Sequence, residues 1–282
     1  MAAFRALCVA WLLCLLGAGR GHGFYHLDLE VNYDPAAGWS FSIYDLNYGR
    51  LKLEENPVLV PYWSLVKIPA VSDPHSLYGA AGGHVWLIPE SPVLGLPFLG
   101  FSAEGISRGI FVNNSIQLRL LAVEGPGHMA TYSTDPFGRV TPAWNTRDGL
   151  GSNDVQILSV GPGTHRHVNW LFSHPGRYAV QFEAKGSLRS GQVAEVKSTG
   201  WIWFDVQPPP GPRFELISAS TDHPAAIVVE TTPGLPLRIE TSVNGFEWNL
   251  LSEVTPVQPR VPIASIDRTP PMTLFRAAIL VP

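Results

Sequence analysis

An all-β chain is predicted: an antiparallel β-sandwich followed by a second, smaller β-sandwich-like module. Three observations predict it. Glycine (27) and proline (26) punctuate short alternating or apolar runs across 282 residues, a pattern of strands and turns. No apolar stripe at helical period runs for more than about ten residues, and Leu94–Ile106 is too rich in Gly and Pro to be a helix. Finally, His165-Arg166-His167-Val168-Asn169-Trp170 followed by Pro175-Gly176-Arg177-Tyr178 reads as a strand, a tight turn and a core strand of a sandwich.

The chain opens with a segment that reads as a secretory leader, residues 1–22. Arg5 supplies the positive start, Leu7–Leu16 the apolar stretch, and Gly17, Ala18, Gly19 and Gly21 the small residues around a cut expected between Gly19 and Gly23. The apolar stretch is too short to cross a bilayer, and no later run is long enough. Cys14 follows Trp11-Leu12-Leu13, without the small residue that a lipoprotein signal places there. Both cysteines, Cys8 and Cys14, fall in the leader. An exported mature chain would therefore have no disulfide and depend on core burial for stability. The expected location is secreted, in the cell envelope or at the cell surface. A formal charge of −4, more negative by two once Arg5 and Arg20 are gone, leaves no electrostatic footprint for nucleic acid.

The first β domain is expected over 24–207. Its strands are read at Tyr25–Tyr33, Trp39–Asp45, Val58–Leu65, His84–Ile88, Ile116–Val123, His128–Ser133, Val155–Val160, His167–Phe172, Arg177–Ala184 and Trp201–Val206. The linker is 208–212: Pro208-Pro209-Pro210-Gly211-Pro212 favours extended polyproline II and cannot continue a central strand. The small β module, 213–282, carries strands at Arg213–Ser218, Ala226–Glu230, Leu235–Ser242, Glu247–Glu253 and Thr273–Leu280.

Strand geometry also suggests a site. Residues i and i+2 of a strand share a face, so His165 and His167 can point at one cation. Neutral imidazole suits zinc and copper, and a closed site takes three or four ligands. His26, Asp28 and His128 are the candidates for the remaining positions. The competing reading has the histidines satisfying backbone groups at a turn. His174, beside Pro175, and His75 and His223, beside Pro74 and Pro224, read as turn or loop residues. Asn169, Trp170 and Tyr178 read as structural, with the Tyr178 hydroxyl bonding backbone at a sandwich corner. Asp148-Gly149-Leu150-Gly151-Ser152-Asn153-Asp154 offers oxygen donors for calcium without the EF-hand spacing, and reads as a loop. A leader cut after Gly21 would leave His22 at a new N-terminus, where amine and imidazole could hold copper. Hydrolysis finds little support: there is no Gly-x-Ser-x-Gly elbow, and the carboxylates Asp28, Asp45, Glu104, Asp148 and Asp154 are scattered. Trp39, Trp63, Trp144 and Trp248 could stack on a surface polymer such as a glycan, or pack a core.

Several blocks resemble the secreted choice-of-anchor M domain family. Tyr25-His26-Leu27-Asp28 resembles its opening His-x-Asp. His84-Val85-Trp86-Leu87-Ile88-Pro89-Glu90 with Leu99-Gly100-Phe101 resembles its Trp-x-Leu-Pro-Gln block. Val123-Glu124-Gly125-Pro126-Gly127-His128 is similar to its Val-x-Gly-Pro-Gly turn, and His165–Trp170 with Gly176-Arg177-Tyr178 to its His-x-His-x-Asn-Trp and Gly-x-Tyr. The resemblance implies an exported, mostly β bacterial surface protein, and a metal role by analogy. Where that family often has a second early His-Asp, this chain has Tyr44-Asp45. The end of the chain, Gly234–Ser242 with Phe246-Glu247-Trp248 and Leu274-Phe275-Arg276-Ala277, resembles a module of secreted verrucomicrobial and planctomycete proteins. Together these readings point to a non-enzymatic surface protein that holds a metal. A purely adhesive, structural or carbohydrate-binding module is the alternative.

Overall fold

The computed structural model describes residues 25–70, 76–191, 197–198, 201–217, 226–265 and 273–280. The expected leader, with His22, and the loop histidines His75 and His223 lie outside them. The protein is all-β. Two single 3-10 turns, Tyr62–Ser64 and Val112–Asn114, are the only helical elements among the described residues. The chain divides into two compact units with the boundary between Gln207 and Pro208.

The larger unit contains β1 (Tyr25–Asp34), β2 (Gly38–Asp45), β3 (Gly49–Leu51), β4 (Val58–Val60), β5 (Leu65–Lys67), β6 (His84–Ile88), β7 (Pro97–Ser102) and β8 (Ser115–Glu124). It continues with β9 (Met129–Thr134), β10 (Val140–Asn145), β11 (Val155–Ser159), β12 (Arg166–His167), β13 (Asn169–Phe172), β14 (Gly176–Lys185), β15 (Lys197–Ser198) and β16 (Ile202–Val206). Three sheets form, ordered β12-β7-β1-β2-β3, β10-β9-β13-β6-β5 and β11-β8-β14-β16-β4, with β15 added to β14. Pairing is antiparallel except at β1–β7 and β16–β4, which are parallel.

All three sheets turn a face to one core. Leu29, Val31, Leu99 and Phe101 enter it from the first sheet, Trp86, Trp144, Trp170 and Phe172 from the second, and Leu118, Tyr178, Phe182 and Phe204 from the third. Aromatic rings interlock there: Trp144 meets Trp170 edge-on with centroids 5.9 Å apart, and Phe101 lies 5.2 Å from each. This burial of large aromatic area serves a unit whose described residues include no cysteine.

Two expected strands are subdivided. The run Val58–Leu65 breaks at Pro61, which caps the first 3-10 turn. The run His167–Phe172 divides at buried Val168, so that β12 joins the first sheet and β13 the second. Five short strands, β3, β7, β10, β15 and, in the smaller unit, Arg260–Ser265, were not expected. β7 opens on Pro97, a position where a missing N–H is tolerated, and contains Gly100. β10 is an edge strand with a register shift between Pro142 and Trp144.

The smaller unit has β17 (Arg213–Ile217), β18 (Ala226–Glu230), β19 (Leu237–Ser242), β20 (Asn249–Val254), β21 (Arg260–Ser265) and β22 (Leu274–Ile279). They pair as β17-β18-β21 and β20-β19-β22 around a core of Val229, Leu237 and Ile239.

Candidate metal centre

The site forms on the outer face of the first sheet. Along β1 the side chains alternate: Leu29 and Val31 enter the core, and His26, Asp28 and Glu30 face away. β7 lies parallel to β1 and places Phe98 opposite His26 and Gly100 opposite Asp28. β12 then pairs with β7 so that His167 is also opposite Gly100. Asp28, Gly100 and His167 thus share one rung across three strands. His165, two residues before His167, lies outside the strand, in the segment just before β12, so the expected strand alternation does not place it.

The three imidazoles converge. One donor atom from each of His26, His165 and His167 lies within 4.8 Å of the others. His26 Nε2 and His167 Nε2 are 3.1 Å apart, and Asp28 Oδ2 is 3.3 Å from His26 Nε2. Asp28 Oδ1 is 3.9 Å from His167 Nε2. A tetrahedron of 2.0–2.1 Å bonds has edges of about 3.3–3.4 Å, which the His26–His167 and His26–Asp28 separations approach. Two buried polar atoms, Asp28 Oδ1 and His167 Nδ1, have no hydrogen-bond partner. Such orphans carry a desolvation cost that a cation beside the carboxylate would offset.

The setting favours ligand chemistry. The ring of Phe98 stacks on His167 with centroids 3.4 Å apart and planes 6° from parallel. Burial, reinforced by any positive charge on His26 and His165, pushes the His167 pKa down to about 4. The Leu99 carbonyl pulls weakly the other way, in a geometry too poor to be a hydrogen bond. His167 is therefore neutral at physiological pH, the form in which imidazole binds metals. Burial raises the Asp28 pKa; His26 and His165 oppose the rise, and Glu104 and Glu30 add to it. Glu104 Oε1 lies 3.3 Å from His165 Nδ1. A carboxylate there holds the proton on Nδ1 and leaves Nε2 as the donor. With three nitrogens, one carboxylate and no thiolate, the donor set suits zinc or copper.

Three of the five expected ligands, His26, His165 and His167, converge here, and Asp28 lies beside His26 and His167. His128 does not join them. Its N–H donates to Ser173 Oγ at 2.7 Å and its carbonyl accepts from the Ser173 N–H, at the opposite end of β13 from the site. The Val-x-Gly-Pro-Gly turn in front of it carries the chain from β8 in the third sheet to β9 in the second. Residues not expected at the site are Phe98, Gly100 and Glu104, the last noted only as a scattered carboxylate. Tyr44, on β2, is the register partner of Asp28.

The other readings resolve locally. The Tyr178 hydroxyl donates to the His174 carbonyl (3.0 Å) and accepts from its N–H (3.2 Å), the expected sandwich corner. Asn169 Oδ1 accepts the Glu90 N–H. Asp154 is spent on its own loop, accepting the Asn145 and Gly151 N–H groups at 2.7 Å each. Trp39 and Trp144 are core residues, and Arg276 covers the Trp248 ring at 4.4 Å. Trp63 is 44% exposed.

No protein-family model, no curated protein and no solved structure matches the chain.

Proposed function

We propose that this is an exported, non-enzymatic surface or envelope protein whose larger β unit binds one transition ion, zinc or copper, through His26, His165 and His167 with Asp28 beside them. The observation that carries this is the convergence of three imidazole donors within 4.8 Å on one sheet face. The reading of export rests on residues 1–22, and the surface role on the resemblance to choice-of-anchor M domains. Elemental analysis of the purified, untagged mature protein tests the metal. About one zinc or copper per chain is expected, absent from the His165→Ala/His167→Ala double variant. A metal-free wild type, with the double variant only less stable, would make the histidines a hydrogen-bonded structural cluster and overturn the proposal.

One observation favours a second reading, a glycan-binding surface module. A cavity of about 410 Å³ is lined by Tyr25, Tyr48 and Trp63, with Glu55 and Asn56 also in its wall. Trp63 Nε1 donates to the Gly95 carbonyl (3.2 Å), which fixes the indole plane. Sugar rings stack on such aromatic faces while carboxylate and amide groups bond the hydroxyls. Glycan-array binding that disappears in Trp63→Ala would establish it, and silence across the array would remove it.

A further inference from the structure

The candidate centre is graded in burial. Contacts of 3.1 Å and 3.3 Å join His26 to His167 and to Asp28, and His165 meets Glu104 at 3.3 Å. The side chains of His167 and Asp28 are each 8% exposed, against 26% for His26, 37% for His165 and 39% for its partner Glu104. His167 cannot swing away from the ion. Phe98 stacks on one face of its ring, and its Nδ1 lies 3.0 Å from where a Cβ on Gly100 would be, packed against the strand. His165 has no such confinement. It lies in the segment before β12, and its Nδ1 contact is the half-exposed carboxylate of Glu104.

Resting on the metal-binding reading above, we infer that His165 is the exchange ligand of the centre. His26, His167 and Asp28 form the retained set, and the ion enters and leaves through the His165 position. An incoming donor from solution, an imidazole nitrogen above all, can replace His165 without disturbing the core. Displacing His167 would require the sheet face to unpack, and His26 is held by its contacts to His167 and Asp28. A site with one yielding ligand passes its ion to another imidazole-bearing molecule faster than a fully buried site does. Glu104 is a positioning residue in this scheme. It holds the His165 ring with Nε2 toward the ion, and its loss weakens the yielding ligand without touching the retained ones.

The test is the rate at which a chromogenic chelator removes zinc from the zinc-loaded full-length mature chain. His165→Ala is expected to keep one zinc per chain and release it about 10-fold faster or more. Free imidazole in the millimolar range then acts with opposite signs. It slows release from His165→Ala by filling the vacated position, and speeds release from wild type by displacing His165. His167→Ala is expected to hold no zinc, with or without imidazole, because its position is buried. Glu104→Gln keeps the stoichiometry and speeds release about 10-fold. Release from His165→Ala at the wild-type rate, complete loss of binding in that variant, or indifference to imidazole would each overturn the exchange role while metal binding stands. A wild type that takes up no zinc would overturn the metal reading itself, and the exchange role with it.

Discussion

At the scale of single residues, the centre depends on one missing side chain as much as on the histidines. A Cβ on Gly100 would lie 2.7 Å from Asp28 Oδ1 and 3.0 Å from both His167 Nδ1 and the Arg166 carbonyl. Two of those neighbours are buried and the third is backbone, so none can give way cheaply. Gly100→Ala is therefore expected to destabilise the protein by about 1–3 kcal/mol, as overpacking does, and to lower metal affinity by pushing Asp28 and His167 apart. Metal titration and thermal unfolding of the same variant check both parts, and unchanged affinity would count against the proposed donor set. His167 supplies a second expectation, for the metal-free protein. Its folded-state pKa is about 4, against 6.5 for the free side chain. As pH falls, the unfolded chain takes up the proton first. The stability contributed by neutral His167 is thus complete above pH 6.5 and is lost as pH falls toward 4, by roughly 2–3 kcal/mol. Denaturant unfolding of metal-free wild type and His167→Gln between pH 7 and 4 checks this, because the variant lacks that slope.

At the scale of elements, the turn between β13 and β14 shows how much of the fold was legible. Pro175-Gly176-Arg177-Tyr178 announced a turn and a corner tyrosine, and the hydroxyl bonds both backbone groups of His174. Tyr178→Phe keeps the ring packed against Phe172 but strands those two groups. It is expected to cost about 1–3 kcal/mol, read as a lower midpoint of thermal unfolding, with metal content unchanged. The His-x-His pair was legible as two nearby imidazoles, but not through strand period: only His167 lies in β12, and His165 reaches the site from the segment before it. β7 was not. Pro97 and Gly100 read as breakers, yet Pro97 only opens the strand, and Gly100 is required because Asp28 and His167 converge over it. That requirement comes from β1 and β12, distant in sequence, so no local pattern could disclose it. His128 was misplaced by the converse error. Its position in a recognisable turn said where the chain reverses, and nothing about which sheet face its neighbours occupy.

At the scale of the whole molecule, the candidate ligands come from two distant stretches, His26 and Asp28 near the start of the larger unit and His165 and His167 near its end. β7 stands between them in the sheet. An ion bound there would cross-link β1 to the segment around β12 across the intervening β7. It binds the folded state alone, since the unfolded chain cannot hold four donors together so far apart in sequence, and it therefore stabilises by mass action. At a free concentration 100 times the dissociation constant the gain is about 2.7 kcal/mol. For a unit of this size that corresponds to a rise of roughly 5–10 °C in melting temperature. The smaller unit, with its separate core of Val229, Leu237 and Ile239, contributes no residue to the group among the described residues. Calorimetry of the full mature chain with zinc, and again after chelation, is accordingly expected to show a shift in the enthalpy carried by the larger unit. Enthalpy belonging to the smaller unit should stay in place. A zinc-dependent shift that survives in the His165→Ala/His167→Ala double variant would locate the ion elsewhere in the molecule, and would separate stabilisation by metal from the sheet face described here.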